Sequence, residues 1–118
     1  MERTKQYALE DRPLAFSKQV RAFVKKLPKT MANIEDAKQL IKASGSVGAN
    51  YIEANEALSK KDFIMRIKIW RKEAKESRYW LRLIDNEGDQ GQENERVYLE
   101  QEAMELTNIF GSILSKTE

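Results

Sequence analysis

The residues best suited to chemistry are a series of lysines and arginines in the middle of the chain. Projected on a helix at about 100° per residue, they fall within an arc of about 120°, and Glu73 and Glu76 fall outside it. Cations without interleaved acids suit contact with phosphates, which is sensitive to salt. A solvated face with intrahelical ion pairs, such as Glu76 with Lys72, is the alternative. We call this series the basic face: Lys61, Lys68, Arg71, Lys72, Lys75, Arg78 and Arg82.

A second apolar strip lies on the same predicted helix, away from its core-facing positions. Ile69, Trp80 and Leu83 lie about 100° or more from those positions, with Glu76 among them. A monomeric bundle helix needs one apolar stripe, and Trp is enriched at protein interfaces. We therefore expect an oligomer interface at Ile69, Trp80 and Leu83. Peripheral core contact with an adjacent helix is the alternative.

The residue types on which most enzymes and metal sites rely are missing. The sequence has no His and no Cys, which removes the usual acid–base group near neutral pH and the usual zinc ligands. The pairs Glu53/Glu56 and Glu73/Glu76 have a spacing similar to that of the metal ligands in di-iron helix bundles. Those sites also need His, and their ligands project into the core. We expect no catalytic residue, no metal site and no cofactor, and hence a protein that is not an enzyme.

A segment of small residues, 44–50, has the composition of a phosphate loop without its pattern. A Walker loop needs Lys followed by Ser or Thr after its glycines, and a dinucleotide-binding turn needs a preceding strand. Neither accompanies Gly45 and Gly48. A loop between two short helices is one interpretation, since Gly in a helix costs about 1 kcal/mol relative to Ala. We favour a continuous helix, because the apolar period keeps its phase across the segment.

Apolar residues recur every three or four positions in four segments, which predicts four helices. The most regular seam is that of the third helix: Phe63, Ile67, Trp70, Ala74, Ser77, Leu81 and Ile84. Helices joined by short links pack antiparallel, so we predict an all-α, antiparallel up-down four-helix bundle. The predicted helices span about 13–27, 33–58, 60–85 and 93–116.

Local signals fix the expected helix starts. Pro13 suits a first turn, and Asn33 suits an N-cap. Ser59 followed by Asp62 is similar to a capping box.

Length and composition indicate one small domain. The chain has 118 residues, of which 41% are hydrophobic and 34% charged, enough for one core and a charged surface. No apolar run approaches the roughly 20 residues of a membrane span, and residues 1–5 lack the apolar stretch of a secretory signal. We expect a cytoplasmic protein with no membrane partner and no small-molecule substrate.

The net charge of +2 conceals a division along the chain. Residues 1–82 contain 19 Lys or Arg and 10 Asp or Glu, a net of +9, whereas residues 83–118 contain 2 and 9, a net of −7. Either an acidic fourth helix offsets basic neighbours within the bundle, or the surface is polarised and one side suits polyanions.

Two stretches resemble a known family. The first is Lys42-Ala43-Ser44-Gly45-Ser46-Val47-Gly48-Ala49-Asn50-Tyr51-Ile52-Glu53-Ala54. The second runs from Ser59-Lys60-Lys61-Asp62-Phe63-Ile64 to Lys72-Glu73-Ala74-Lys75-Glu76-Ser77-Arg78-Tyr79-Trp80-Leu81-Arg82-Leu83. Together they are similar to the four-helix bundle proteins first noticed as open reading frames in intervening sequences of bacterial 23S ribosomal RNA genes.

The resemblance implies an antiparallel bundle that assembles as a homopentamer around a central channel. It also implies kinship with accessory proteins of diversity-generating retroelements, which are basic and bind nucleic acid, and it implies no catalytic residues. Trp70 departs from the pattern of this similar family, in which a smaller residue is preferred at the same position. We therefore expect an oligomeric, nucleic-acid-binding or scaffolding protein with RNA or DNA as its partner. A protein–protein adaptor is the alternative.

Overall fold

The protein is a bundle of four helices. A computed structural model describes the backbone of residues 2–118 and the side chains of residues 10–118. The helices are α1 (Glu2–Lys25), α2 (Met31–Asn55), α3 (Lys60–Leu83) and α4 (Gln90–Thr117). No strand occurs within residues 2–118, and α3 packs between α2 and α4 while α1 packs on both α2 and α4. The predicted all-α four-helix bundle is confirmed.

The first helix starts earlier than predicted. It begins at Glu2, so Pro13 lies inside it and not in its first turn. Proline in a helix interior removes a backbone hydrogen bond, a cost that tertiary packing offsets here. The ring of Pro13 is buried, and its Cβ lies 3.7 Å from where a Cβ of Gly48 would stand.

The second helix starts at a different cap from the one predicted. Thr30, and not Asn33, is the N-cap, and its Oγ1 accepts a hydrogen bond from Asn33 N at 3.1 Å. Asn33 is 2% exposed and joins two links instead. Its Nδ2 donates to Pro28 O at 3.1 Å and to Asp85 O at 2.7 Å, and its Oδ1 accepts from Asp85 N at 3.1 Å.

The other helix ends lie within three residues of the predicted ones. Ser59 caps α3 as predicted, with its Oγ accepting from Asp62 N at 3.0 Å. Asp89 caps α4 through a 2.9 Å bond from Gln92 N, which starts that helix before residue 93. The small-residue segment of α2 is continuous helix, and α1 packs along it at Gly45 and Gly48.

The core is a single hydrophobic cluster to which all four helices contribute. At its centre Trp70 is 1% exposed. Its ring stacks on Phe110 with centroids 3.4 Å apart and meets Tyr51 at 4.9 Å. Its Nε1 is buried and has no hydrogen-bond acceptor among residues 10–118. The large residue at this position is thus held by aromatic neighbours rather than by a polar one.

Within residues 2–118, no helix is both long enough and apolar enough to cross a membrane.

Candidate nucleic-acid interface

The basic face is displayed by α3 because the seam of that helix faces the core. Ile67, Trp70, Ala74, Ser77 and Leu81 are buried, which turns the intervening cations outward. Arg78 is half-buried, and the other six members are exposed: Lys61, Lys68, Arg71, Lys72, Lys75 and Arg82. The structure therefore brings all seven predicted residues onto one side of α3.

The edge of the basic face that lies along α4 is engaged with that helix. Arg78 Nε lies 3.9 Å from Glu100 Oε2, and Lys68 Nζ lies 3.7 Å from Glu118 Oε2. These two cations are partly neutralised by the acidic end of the chain. Their availability to an outside anion is reduced accordingly.

The remaining five cations of the basic face have no carboxylate oxygen within 4.0 Å among residues 10–118. In particular, Lys72 and Glu76 form no ion pair, so the intrahelical pair considered above is not what holds Lys72. We call these five the unpaired cations: Lys61, Arg71, Lys72, Lys75 and Arg82.

An open groove of about 720 Å³ runs over the middle of the basic face. Tyr79 lies among the cations that line it and is 57% exposed. The Tyr79 ring meets Trp80 edge-on, with centroids 5.1 Å apart and an interplanar angle of 75°. Sequence reasoning missed Tyr79, although its position four residues after Lys75 places it on the same side of the helix. The groove is lined by Gln39, Lys68, Arg71, Lys72, Lys75, Glu76, Tyr79, Trp80 and Leu114.

The acidic fourth helix is neutralised largely within the chain. Arg12 of α1 donates to both carboxylate oxygens of Glu102, at 2.8 and 2.9 Å, and to Glu105 at 2.8 Å. These bonds raise the pKa of Arg12, and they lower that of Glu105. Lys26 reaches Glu95 at 2.6 Å. The offsetting of basic segments by an acidic helix is therefore present, and its shortest contacts between separate segments join Arg12 of α1 and Lys26, which follows α1, to α4.

Two neighbouring carboxylates, Glu73 and Glu76, lie three residues apart on α3. Burial raises the pKa of Glu73, and the neighbouring Glu76 raises it further. Ser77 Oγ donates to the backbone carbonyl of Glu73 at 2.9 Å, but neither carboxylate accepts a hydrogen bond from a serine or lysine side chain among residues 10–118. Among residues 10–118 no group of three or more Asp or Glu could hold a metal ion.

The three residues of the expected oligomer interface differ in exposure. Ile69 and Trp80 are half-buried, and Trp80 packs against the core. Leu83 is 46% exposed. Peripheral core contact thus accounts for part of the surface of Trp80, and Leu83 is the most accessible member of the strip.

Similar proteins are found both by sequence and by structure. The family described as 23S rRNA-intervening sequence protein matches residues 6–112. The fold is similar to the 1.70 Å crystal structure of a protein with unknown function from the S23 ribosomal protein family of Bacteroides thetaiotaomicron VPI-5482. The TM-score is 0.75 at 28% identity, covering 90% of this chain and 97% of that one. No curated protein matches the chain. The family resemblance carried by residues 42–54 and 59–83 is confirmed.

Proposed function

This chain belongs to the 23S rRNA-intervening sequence protein family, and on that premise we propose that it is a non-enzymatic, homo-oligomeric cytoplasmic protein that binds RNA or DNA through the basic face of α3. The five unpaired cations carry this proposal. Cations that have no partner among residues 10–118 are available to neutralise phosphates, and the counterions condensed on the nucleic acid are then released, which drives binding.

The pairing of α4 favours an external polyanion over a neighbouring copy as the partner of the basic face. Each glutamate of α4 lies within 4.0 Å of an Arg or Lys nitrogen of the same chain: Glu93, Glu95, Glu100, Glu102 and Glu105. The α4 of a second copy therefore offers few carboxylates that are not already neutralised.

The alternative is a protein–protein adaptor in which the basic face meets an acidic partner. This alternative is supported by carboxylates of the α3–α4 link that are available to a basic surface. They are exposed and make no ion pair with the described side chains: Asp85, Glu87 and Asp89. The two kinds of binding can be distinguished, because affinity for a nucleic acid depends on the number of phosphates and on salt in a way that affinity for protein carboxylates does not.

A salt titration tests nucleic-acid binding. Affinity for a single-stranded oligonucleotide should fall linearly with salt on logarithmic axes, with a slope of about −0.7 per phosphate contact. Changing Lys72, Lys75 and Arg82 together to Glu should abolish binding and leave the helical content unchanged, because none of the three contributes to the core. The matched control reverses the exposed Lys18, Lys25 and Lys29 and alters the net charge equally.

The two triple variants distinguish the outcomes. Loss of binding in the α3 variant alone supports the proposal. Equal binding by the α3 variant and the wild type would move the site to α1. If the wild type shows no salt-sensitive binding to RNA or DNA at low ionic strength, nucleic-acid binding is refuted and the adaptor alternative is favoured.

Assembly is tested separately. Light scattering should give about five times the chain mass of 13.7 kDa if the protein is a homopentamer. Changing the exposed Leu83 to Glu should lower that mass if the strip of Ile69, Trp80 and Leu83 is the interface. A monomeric wild type at micromolar concentration would refute the oligomer.

A further inference from the structure

An exposed aromatic ring stands among the cations of the groove. Tyr79 lies four residues after Lys75 and three before Arg82, so all three share one side of α3. More than half of its surface, 57%, is open to solvent. Phosphate contacts alone do not account for an aromatic residue in this position.

The ring of Tyr79 is held in place by a contact with its neighbour in the chain, Trp80. It meets Trp80 edge-on at 5.1 Å, and Trp80 is itself half-buried and packed against the core. A tyrosine has only two side-chain torsions to fix, so it offers contact area at a low entropic cost. The edge-on contact adds to this, because it restrains the ring before any ligand arrives.

We propose that Tyr79 stacks on an unpaired base, so that the basic face selects single-stranded nucleic acid over duplex. This inference rests on the proposed function. In a duplex both faces of each base are covered by neighbouring bases, whereas a single strand leaves them open to an aromatic side chain. The cations from Lys72 to Arg82 span about 15 Å along the helix, which lets them contact phosphates on either side of a stacked base.

A second exposed tyrosine provides a contrast. Tyr98 on α4 is 58% exposed, nearly the same as Tyr79. It lines a separate cleft with Gln19, Asn94 and Glu95 and with no Lys or Arg. Glu95 in this lining is paired with Lys26 at 2.6 Å, so Tyr98 has the exposure of a stacking residue but no unpaired cation in the lining of its cleft.

The experiment compares three probes of equal length: a single-stranded oligodeoxynucleotide, the same strand with abasic sites in place of its bases, and a duplex. The wild type should bind the intact single strand about 5- to 140-fold more tightly than the abasic strand, the range expected for one stacked base. Tyr79→Leu should remove that preference and leave the salt slope unchanged. Tyr79→Phe retains the ring and Tyr98→Leu is the matched control, so both should bind as the wild type does.

Failure of this inference differs from failure of the proposed function. Equal, salt-sensitive binding of all three probes by the wild type, unchanged in Tyr79→Leu, overturns the stacking role and leaves phosphate binding intact. Absence of salt-sensitive binding to any probe overturns both. Circular dichroism and light scattering on each variant exclude a change of fold or assembly as the cause.

Discussion

The side chain of Arg71 on α3 lies across Gly111 on α4, and a Cβ at Gly111 would stand 3.2 Å from Arg71 Nε and 3.6 Å from Arg71 Cζ. Gly111 thus sets how closely one member of the basic face approaches the acidic helix. We expect Gly111→Ala to raise the free energy of unfolding in urea by about 0.5–1 kcal/mol, because Ala favours the helix and the exposed Arg71 is free to shift by a few tenths of an ångström.

The background Arg71→Ala supplies the control for this change. With Arg71 truncated, Gly111→Ala should show the helix-propensity gain alone, and the double-mutant cycle isolates the contact. A loss of stability in Gly111→Ala that disappears in the Arg71→Ala background would contradict the prediction, since it would mean that the arginine cannot move.

The approach of α1 to α2 gives a second prediction. A Cβ at Gly48 would lie 3.7 Å from Pro13 Cβ, an ordinary van der Waals distance. Gly48→Ala should therefore raise the free energy of unfolding by up to about 1 kcal/mol. Gly48→Leu should lower it by about 1–3 kcal/mol through overpacking. Urea titration measures both, and equal stability of Gly48→Leu and the wild type would show that α1 does not press on this segment.

The amide of Asn33 supports a third prediction. Asn33→Ala removes three hydrogen bonds between the α1–α2 link, α2 and Asp85. The backbone groups left without partners should cost about 1–3 kcal/mol in the free energy of unfolding. Asn33→Asp should be at least as damaging, because a carboxylate would face the carbonyl oxygens of Pro28 and Asp85. A thermal midpoint unchanged in both variants would show that water replaces the side chain.

The carboxylate of Glu93 gives a prediction about pH. Arg96 donates to both of its oxygens, at 2.9 and 2.7 Å, and Asn86 donates at 2.7 Å, which lowers the pKa of Glu93 from 4.5 to about 2. A carboxyl with a depressed pKa stabilises the folded state above its unfolded pKa, and this stabilisation is lost as the pH falls through the folded pKa. The stability difference between wild type and Glu93→Gln should be full at pH 6 and shrink between about pH 4.5 and pH 2.

Thermal midpoints across that range provide the measurement. Glu87→Gln is the control, because Glu87 is exposed and makes no ion pair with residues 10–118. A difference between wild type and Glu93→Gln that is constant from pH 6 to pH 2 would show that the Arg96 bonds do not bias ionisation in solution.

Much of the fold follows from local pattern, and the departures have tertiary causes. The seam through Ile67, Trp70 and Leu81 is buried as its spacing predicts. Thr30 and Asn33 are both good caps three residues apart, and the need for a buried amide beside Asp85 decides between them. Pro13 shows the same limit, because only its packing against α2 explains a proline within a helix.

The candidate site is predictable in outline but not in its charge balance. Helical projection groups the basic face correctly, since it depends on α3 alone. Which cations remain unpaired depends on where α4 lies, and the contacts from Arg78 to Glu100 and from Lys68 to Glu118 join residues distant in sequence. The sequence pattern does not indicate Tyr79, because the argument for this residue depends on its contact with Trp80 and on the groove around it.

Because Trp70 is deeply buried and Trp80 is not, the fluorescence of the two tryptophans reports on different events. Trp70 is shielded by Phe110 and Tyr51, so its emission should stay blue-shifted and resist aqueous quenchers until the core opens. Trp80 borders the groove beside Tyr79, where iodide drawn by the cations has access to it. The unlabelled chain can therefore separate occupancy of the groove from unfolding of the core in a single titration.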